Sequence, residues 1–199
     1  MKKILIAAAV GMLVAGQVAA QESPWLVRAR AVKLSMANHD ATALDLSVDD
    51  KTIPELDVSY FFSKNVAAEL ILTIPQQQQV SAGALGGANV GTFKHLPPTL
   101  LVQYHFTNFN GFKPYVGAGV NYTKISKTNL ASGAYVLDDH SYGYALQAGV
   151  DVPLTKQVSF NFDLKKVNIQ STVYNSSGVS QGTLKLDPVL VGVGIGYRF

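Results

Sequence analysis

Cysteine is absent from the 199 residues, which excludes a disulfide framework and leaves a buried core or a closed sheet to hold the chain. Beyond the first twenty residues no apolar run approaches 18 in length, so the remainder holds no membrane-spanning helix. No zinc-ligand spacing, no G-x-S-x-G elbow and no phosphate-binding glycine loop occurs. Gly117-x-Gly119 lies inside a strand pattern, where it cannot cradle phosphate. A marked charge excess is also lacking. The formal net charge is +3, and Lys2 and Lys3 contribute two of those charges, so nothing points to a nucleic-acid partner.

What is present begins with a secretory leader over residues 1–20. Lys2 and Lys3 form its basic start, Ile4 to Val14 its apolar run, and Val18-Ala19-Ala20 its small-residue cleavage site. Residues 21–199 then fit one domain. Its last stretch sets the pattern for the whole. Val189, Val191, Val193, Ile195, Tyr197 and Phe199 alternate with a set made mostly of glycine and Arg198, which is a strand with one apolar face. Seven earlier stretches alternate likewise: about 25–36, 53–62, 66–74, 98–106, 114–124, 141–152 and 158–167.

The connections between these eight strands run long, short, long, short, long, short, long. Short periplasmic turns and longer external loops are the mark of an up-and-down outer-membrane barrel, and in lipid an open sheet edge would leave backbone groups unpaired. The expected fold is therefore an all-β, eight-stranded antiparallel up-and-down transmembrane β-barrel. Lys33 is the main charge on the outward faces and is expected to snorkel to the interface. Gln76 to Gln79 and the Gly/Ala-rich tract after them read as a solvated loop.

The run Lys94-His95-Leu96-Pro97-Pro98-Thr99-Leu100, the run Phe112-Lys113-Pro114-Tyr115-Val116-Gly117-Ala118-Gly119 and the closing Gly196-Tyr197-Arg198-Phe199 resemble the OmpW family of small outer-membrane barrels. The resemblance implies a largely apolar interior that binds or passes small hydrophobic molecules; some members also serve as bacteriocin receptors. Tyr197 and Phe199 are similar to the terminal signal through which the barrel-assembly machinery reads such chains. Outer-membrane lipids, small hydrophobic ligands and that machinery are thus the expected partners, with no cofactor and no metal.

Strand parity sorts the interior by height, since eight strands enclose only packed side chains or one small ligand. Val32, Leu34, Ile71, Leu101 and Leu190 are expected to line an apolar well open to the outside. Arg28, Arg30, Glu69, Gln103, His105, Asp151 and Arg198 are expected to form a charged plug on the periplasmic side. Glu55 and Asp57 blur this division, because their strand descends and brings them in from above. Inward glycines such as Gly119, Gly149 and Gly194 either leave room in the lumen or ease sheet curvature.

Pro54 and Pro75 flank the Ser63–Asn65 turn almost equally and lack ladder donors. They either mark strand ends or leave a lateral gap toward the outer leaflet. His39-Asp40 and Asp138-Asp139-His140 fall on the external rim, where catalysis would need reach to a reacting group; a non-enzymatic chain is expected. Three function classes remain: a conduit or binding well for hydrophobic molecules, then a structural or receptor barrel with bacteriocin or phage docking on its loops, and last a rim enzyme built on His39 or His140.

Overall fold

In the computed structural model of the chain, residues 23–199 are described, and the leader expected over 1–20 lies outside them. Fifteen strands follow in order: β1 (Trp25–Ser35), β2 (His39–Asp40), β3 (Leu46–Val48), β4 (Lys51–Phe61), β5 (Val66–Thr73), β6 (Gln76–Ala82), β7 (Ala88–Leu96), β8 (Thr99–His105), β9 (Lys113–Leu130), β10 (Tyr135–Leu137), β11 (His140–Pro153), β12 (Val158–Val167), β13 (Gln170–Asn175), β14 (Ser180–Lys185) and β15 (Val189–Arg198). Eight of them close the barrel. The antiparallel ladder runs β1–β4–β5–β8–β9–β11–β12–β15 and returns to β1, where Leu26 meets Arg198 and Ser35 meets Val189.

Period-two patterning places the side chains. On β8, Thr99, Leu101, Gln103 and His105 are buried while Leu100, Val102 and Tyr104 are exposed. Leu56, Leu70, Leu100, Val120, Leu146, Leu164 and Val193 together make an outward apolar band, as lipid-facing strand positions require. Aromatic pairs rim it. Trp25 lies 4.9 Å from Tyr60, Tyr104 5.1 Å from Phe106 and Tyr197 5.0 Å from Phe199 at the periplasmic side, and Tyr122 lies 5.2 Å from Tyr142 at the outer side.

The long connections are not loops. The ladder continues above the membrane as a second tier, a collar in the order β3–β6–β7–β9–β10–β13–β14–β2. The glutamine run therefore reads differently from the sequence expectation. It is strand β6, with Gln76 and Gln78 buried and Gln77 and Gln79 exposed. Its alternation is between two faces of a sheet, which a uniform run of one polar residue conceals.

The inward glycines do not leave open space. A side chain at Gly119 would strike the backbone of Leu100 and Leu101, and one at Gly149 would strike the Tyr115 ring. They admit close strand approach and one aromatic ring.

Candidate functional site: plug, packed collar and lateral seam

The plug grows from two arginines on β1. Arg28 grips Asp151 with two nitrogens, at 3.1 and 2.7 Å, and reaches Asp57 at 3.3 Å and Glu69 at 3.5 Å. Arg30 binds Glu55 at 2.9 Å, Asp57 at 2.8 Å, Glu69 at 3.1 Å and Asn161 at 2.6 Å. Lys165 closes the set against Glu55 at 2.7 Å and Asp163 at 2.6 Å. All these side chains are buried. Such ions persist away from water only when paired and hydrogen-bonded, and the fork of a guanidinium suits several carboxylates at once.

Polar neighbours extend the network. Tyr115 donates to Asp163 at 2.6 Å, Gln147 donates to Glu69 and Asp163 at 2.9 and 2.8 Å, and Gln103 donates to Gln147 at 2.8 Å. His105 contacts Gln103 at 3.0 Å and stacks on Tyr115 with centroids 4.9 Å apart.

The sequence expectation brought Arg28, Arg30, Glu69, Gln103, His105 and Asp151 into one network, and the structure joins them. Arg198 sits lower, at the periplasmic mouth, its guanidinium 4.1 Å over the Phe61 ring and its Nε donating to the Ser23 carbonyl at 2.9 Å. Glu55 and Asp57, expected to blur the division, are plug members. Lys165, Asp163 and Tyr115 were missed. Asp163 and Lys165 share the inward face with Asn161, but parity does not give their height. Beneath the plug opens a vestibule of about 1060 Å³ lined by Leu26, Phe61, Lys113, Asp151 and Arg198 among others.

Above the plug, Val32, Leu34, Ile71, Leu101 and Leu190 are all buried in one apolar cluster, as expected of lumen positions. The well is not open, however. Collar residues Val80, Phe93, Ile125, Leu137, Val173 and Leu184 continue the same cluster upward, because each collar strand carries the inward alternation on beyond the membrane. At the outer mouth remains a recess of about 50 Å³ between Leu46, Leu85, Leu130 and Tyr135.

The seam between β4 and its neighbour is broken. The β4–β5 ladder runs from Phe61 opposite Ala67 to Glu55 opposite Thr73 and stops there. Pairing resumes only where Asp49 donates to Gln79 and Val48 meets Val80. Residues 50–54 and 74–78 face each other across the interval, with Pro54 on one edge and Pro75 on the other. Two side-chain bonds cross it: Thr73 Oγ1 donates to the Pro54 carbonyl at 3.1 Å, and Lys51 Nζ donates to the Gln77 carbonyl at 2.6 Å.

The rim histidines gather no site. His140 Nδ1 contacts Asp139 in the open, and the His39 side chain is outside the described residues. Among the described residues no three His, Cys, Asp or Glu are grouped to hold a metal.

The model of the OmpW family matches residues 15–199. The chain belongs to the OmpW family. An outer-membrane protein of Sinorhizobium fredii, y4mB, is 42% identical over 92% of this chain and 82% of its own. PahQ of Pseudomonas aeruginosa, named as a dibenzothiophene metabolism operon protein, is 26% identical over 90% of each chain. The crystal structure of the outer membrane protein OprG from Pseudomonas aeruginosa superposes with a TM-score of 0.75 at 27% identity, over 90% of this chain and 97% of that one. Like other OmpW-family barrels, the chain is a protein of the bacterial outer membrane.

Proposed function

We propose that the barrel takes small hydrophobic molecules from outside into its upper lumen and passes them sideways, through the β4–β6 interval, to the outer leaflet. The observation that carries this reading is the broken seam lying above a filled plug. The periplasmic route is blocked by buried ion pairs that hold the wall strands together, whereas the lateral route is crossed by two side-chain bonds. Entry requires collar side chains to give way. That exchange costs little in contact, because apolar contact replaces apolar contact, and the guest's departure from water drives it. The association of PahQ with dibenzothiophene metabolism, an aromatic hydrophobe by name, supports the class of cargo.

A second reading, a receptor or structural barrel, is favoured by the packed upper lumen, since a rigid collar suits docking. One experiment separates them. Cysteines at Lys51 and Gln77 can be joined by a bifunctional thiol reagent in this cysteine-free chain. Joining them should sharply reduce uptake of a hydrophobic dye into proteoliposomes. Uptake by the joined barrel at the wild-type rate would sink the lateral route and favour the receptor.

A further inference from the structure

Two buried collar side chains keep polar atoms without a protein partner. Gln78 on β6 is fully buried, and neither its amide oxygen nor its amide nitrogen meets a hydrogen-bonding group among the described residues. His95 on β7 is 2% exposed, and its Nδ1 is likewise unmet. Buried polar groups in folded proteins are nearly always paired, and an unmet one needs an explanation.

Their positions suggest one. In the β6–β7 register Gln76 stands opposite His95 and Gln78 opposite Phe93, so Gln78 and His95 are diagonal neighbours on the inner face, within reach of a shared small group. Gln76 and Gln78 belong to the 74–78 edge of the broken seam, whereas the Gln76 amide is already spent on the Ile74 carbonyl at 2.9 Å. Phe93 stands opposite Gln78, Ile125 opposite His95 and Val80 two residues along β6, all members of the buried apolar cluster. The outer recess lies above, the seam beside, so a guest moving between them passes these two side chains.

We infer that Gln78 and His95 form a hydrogen-bonding rung for an uncharged amphiphile, a molecule that is mostly hydrocarbon with a single hydroxyl, carbonyl or amide group. This rests on the lateral-passage reading. Gln78 presents both a donor and an acceptor, and the imidazole adds one nitrogen that serves in either sense according to its tautomer. A hydroxyl answers both needs, whereas a hydrocarbon answers none and leaves them buried and unmet. An ionised head would meet an amide and an imidazole held neutral by burial and by nearby Lys51, without a buried counter-charge. Lys51, the nearby cation, is itself engaged on the Gln77 carbonyl.

The test uses the full barrel in lipid nanodiscs with nitrogen-labelled side chains and methyl-labelled leucine, followed by NMR. Titrated 1-octanol should shift the Gln78 amide and the His95 ring saturably, octane should not, and both should shift the Leu101 methyls. In proteoliposomes, Gln78→Leu should lower the ratio of octanol to octane flux about fivefold, the value of one hydrogen bond. If octanol moves Leu101 but neither Gln78 nor His95, the rung is occupied by water only and the inference falls while lateral passage stands. If neither compound moves any lumen signal, lateral passage itself fails and the rung with it. Should Gln78→Leu not fold, the wild-type titration alone decides.

Discussion

The Asn38 side chain pairs with the backbone of Val48 in both directions, donating to its carbonyl at 3.0 Å and accepting from its N–H at 2.8 Å. One amide side chain thereby stands in for a β-bridge where β2 and β3, joined in sequence, would otherwise leave the collar open. Asp40 assists by accepting from the Leu46 N–H at 2.6 Å. Asn38 adopts a left-handed backbone, φ 52°, which asparagine tolerates better than most residues.

Replacing Asn38 with Ala should loosen the collar and spare the barrel. Losing the acceptor leaves the buried Val48 N–H unmet, at a cost of about 1–3 kcal/mol. The expected outcome is faster tryptic cutting near Lys51 with an unchanged heat-shifted gel band. Equal cutting rates would show that Asn38 does not hold the collar.

Arg28→Met should be far more damaging. It strands Asp151 inside the lumen and leaves Asp57 to Arg30, and breaking a buried ion pair from one side costs about 3–5 kcal/mol. Urea unfolding in detergent should show the loss. A midpoint unchanged from wild type would mean that water reaches the plug freely.

Lipid-facing Leu100 should accept an apolar exchange and reject a charge. Leu100 is half exposed on the outer face and Leu101 is fully buried inside. Lys at position 100 should cost about 2–4 kcal/mol near the bilayer midplane, while Leu100→Val should cost less than about 1.5 kcal/mol. Equal folding yields in liposomes for the two variants would place Leu100 away from lipid.

The collar should weaken in mild acid. His95 lies above the outer aromatic rim, where burial, and next the charge of Lys51, push its imidazole down to about 4 from an ordinary 6.5. The unfolded chain then binds the proton more readily than the folded one, so stability is lost as pH falls from about 6.5 toward about 4. His95→Gln should flatten that slope in hydrogen-exchange protection of β7. A slope unchanged in the variant would assign it to other groups.

Deleting Phe199 should lower the yield of assembled barrel more than Gly192→Ala, since Phe199 extends the lower aromatic rim beside Tyr197. Comparable yields in outer-membrane fractions would remove the terminal ring from assembly.

The barrel was legible because period-two alternation survives in every spanning strand, from Trp25 to Phe199. The plug was mostly legible for the same reason. Arg28 and Arg30 alternate with the apolar outward positions Val27, Ala29 and Ala31, which leaves them the lumen. Asp163 and Lys165 escaped because their height depends on strand tilt and register, which parity does not contain. The collar escaped altogether. Gln76–Gln79 carries no hydrophobic alternation, and strands held above a membrane need none of the lipid-facing residues that announced the others. The seam was half legible: Pro54 and Pro75 mark where a ladder stops, but whether another begins beyond them depends on β3 and β6, whose pairing is long-range.

The plug also bears on how the protein is made. Arg28 and Asp151 stand 123 residues apart, and Arg28, Arg30 and Lys165 find their partners on β4, β5, β11 and β12 together. A chain with only its first few strands in place would hold both guanidiniums without Asp151, Asp163 or Asn161, in a setting that penalises unmatched ions. The ion network is therefore complete only once β11 and β12 stand beside the first strands. The charged floor thus ties the first strand to the second half of the chain, a bond that no early fragment can make for itself.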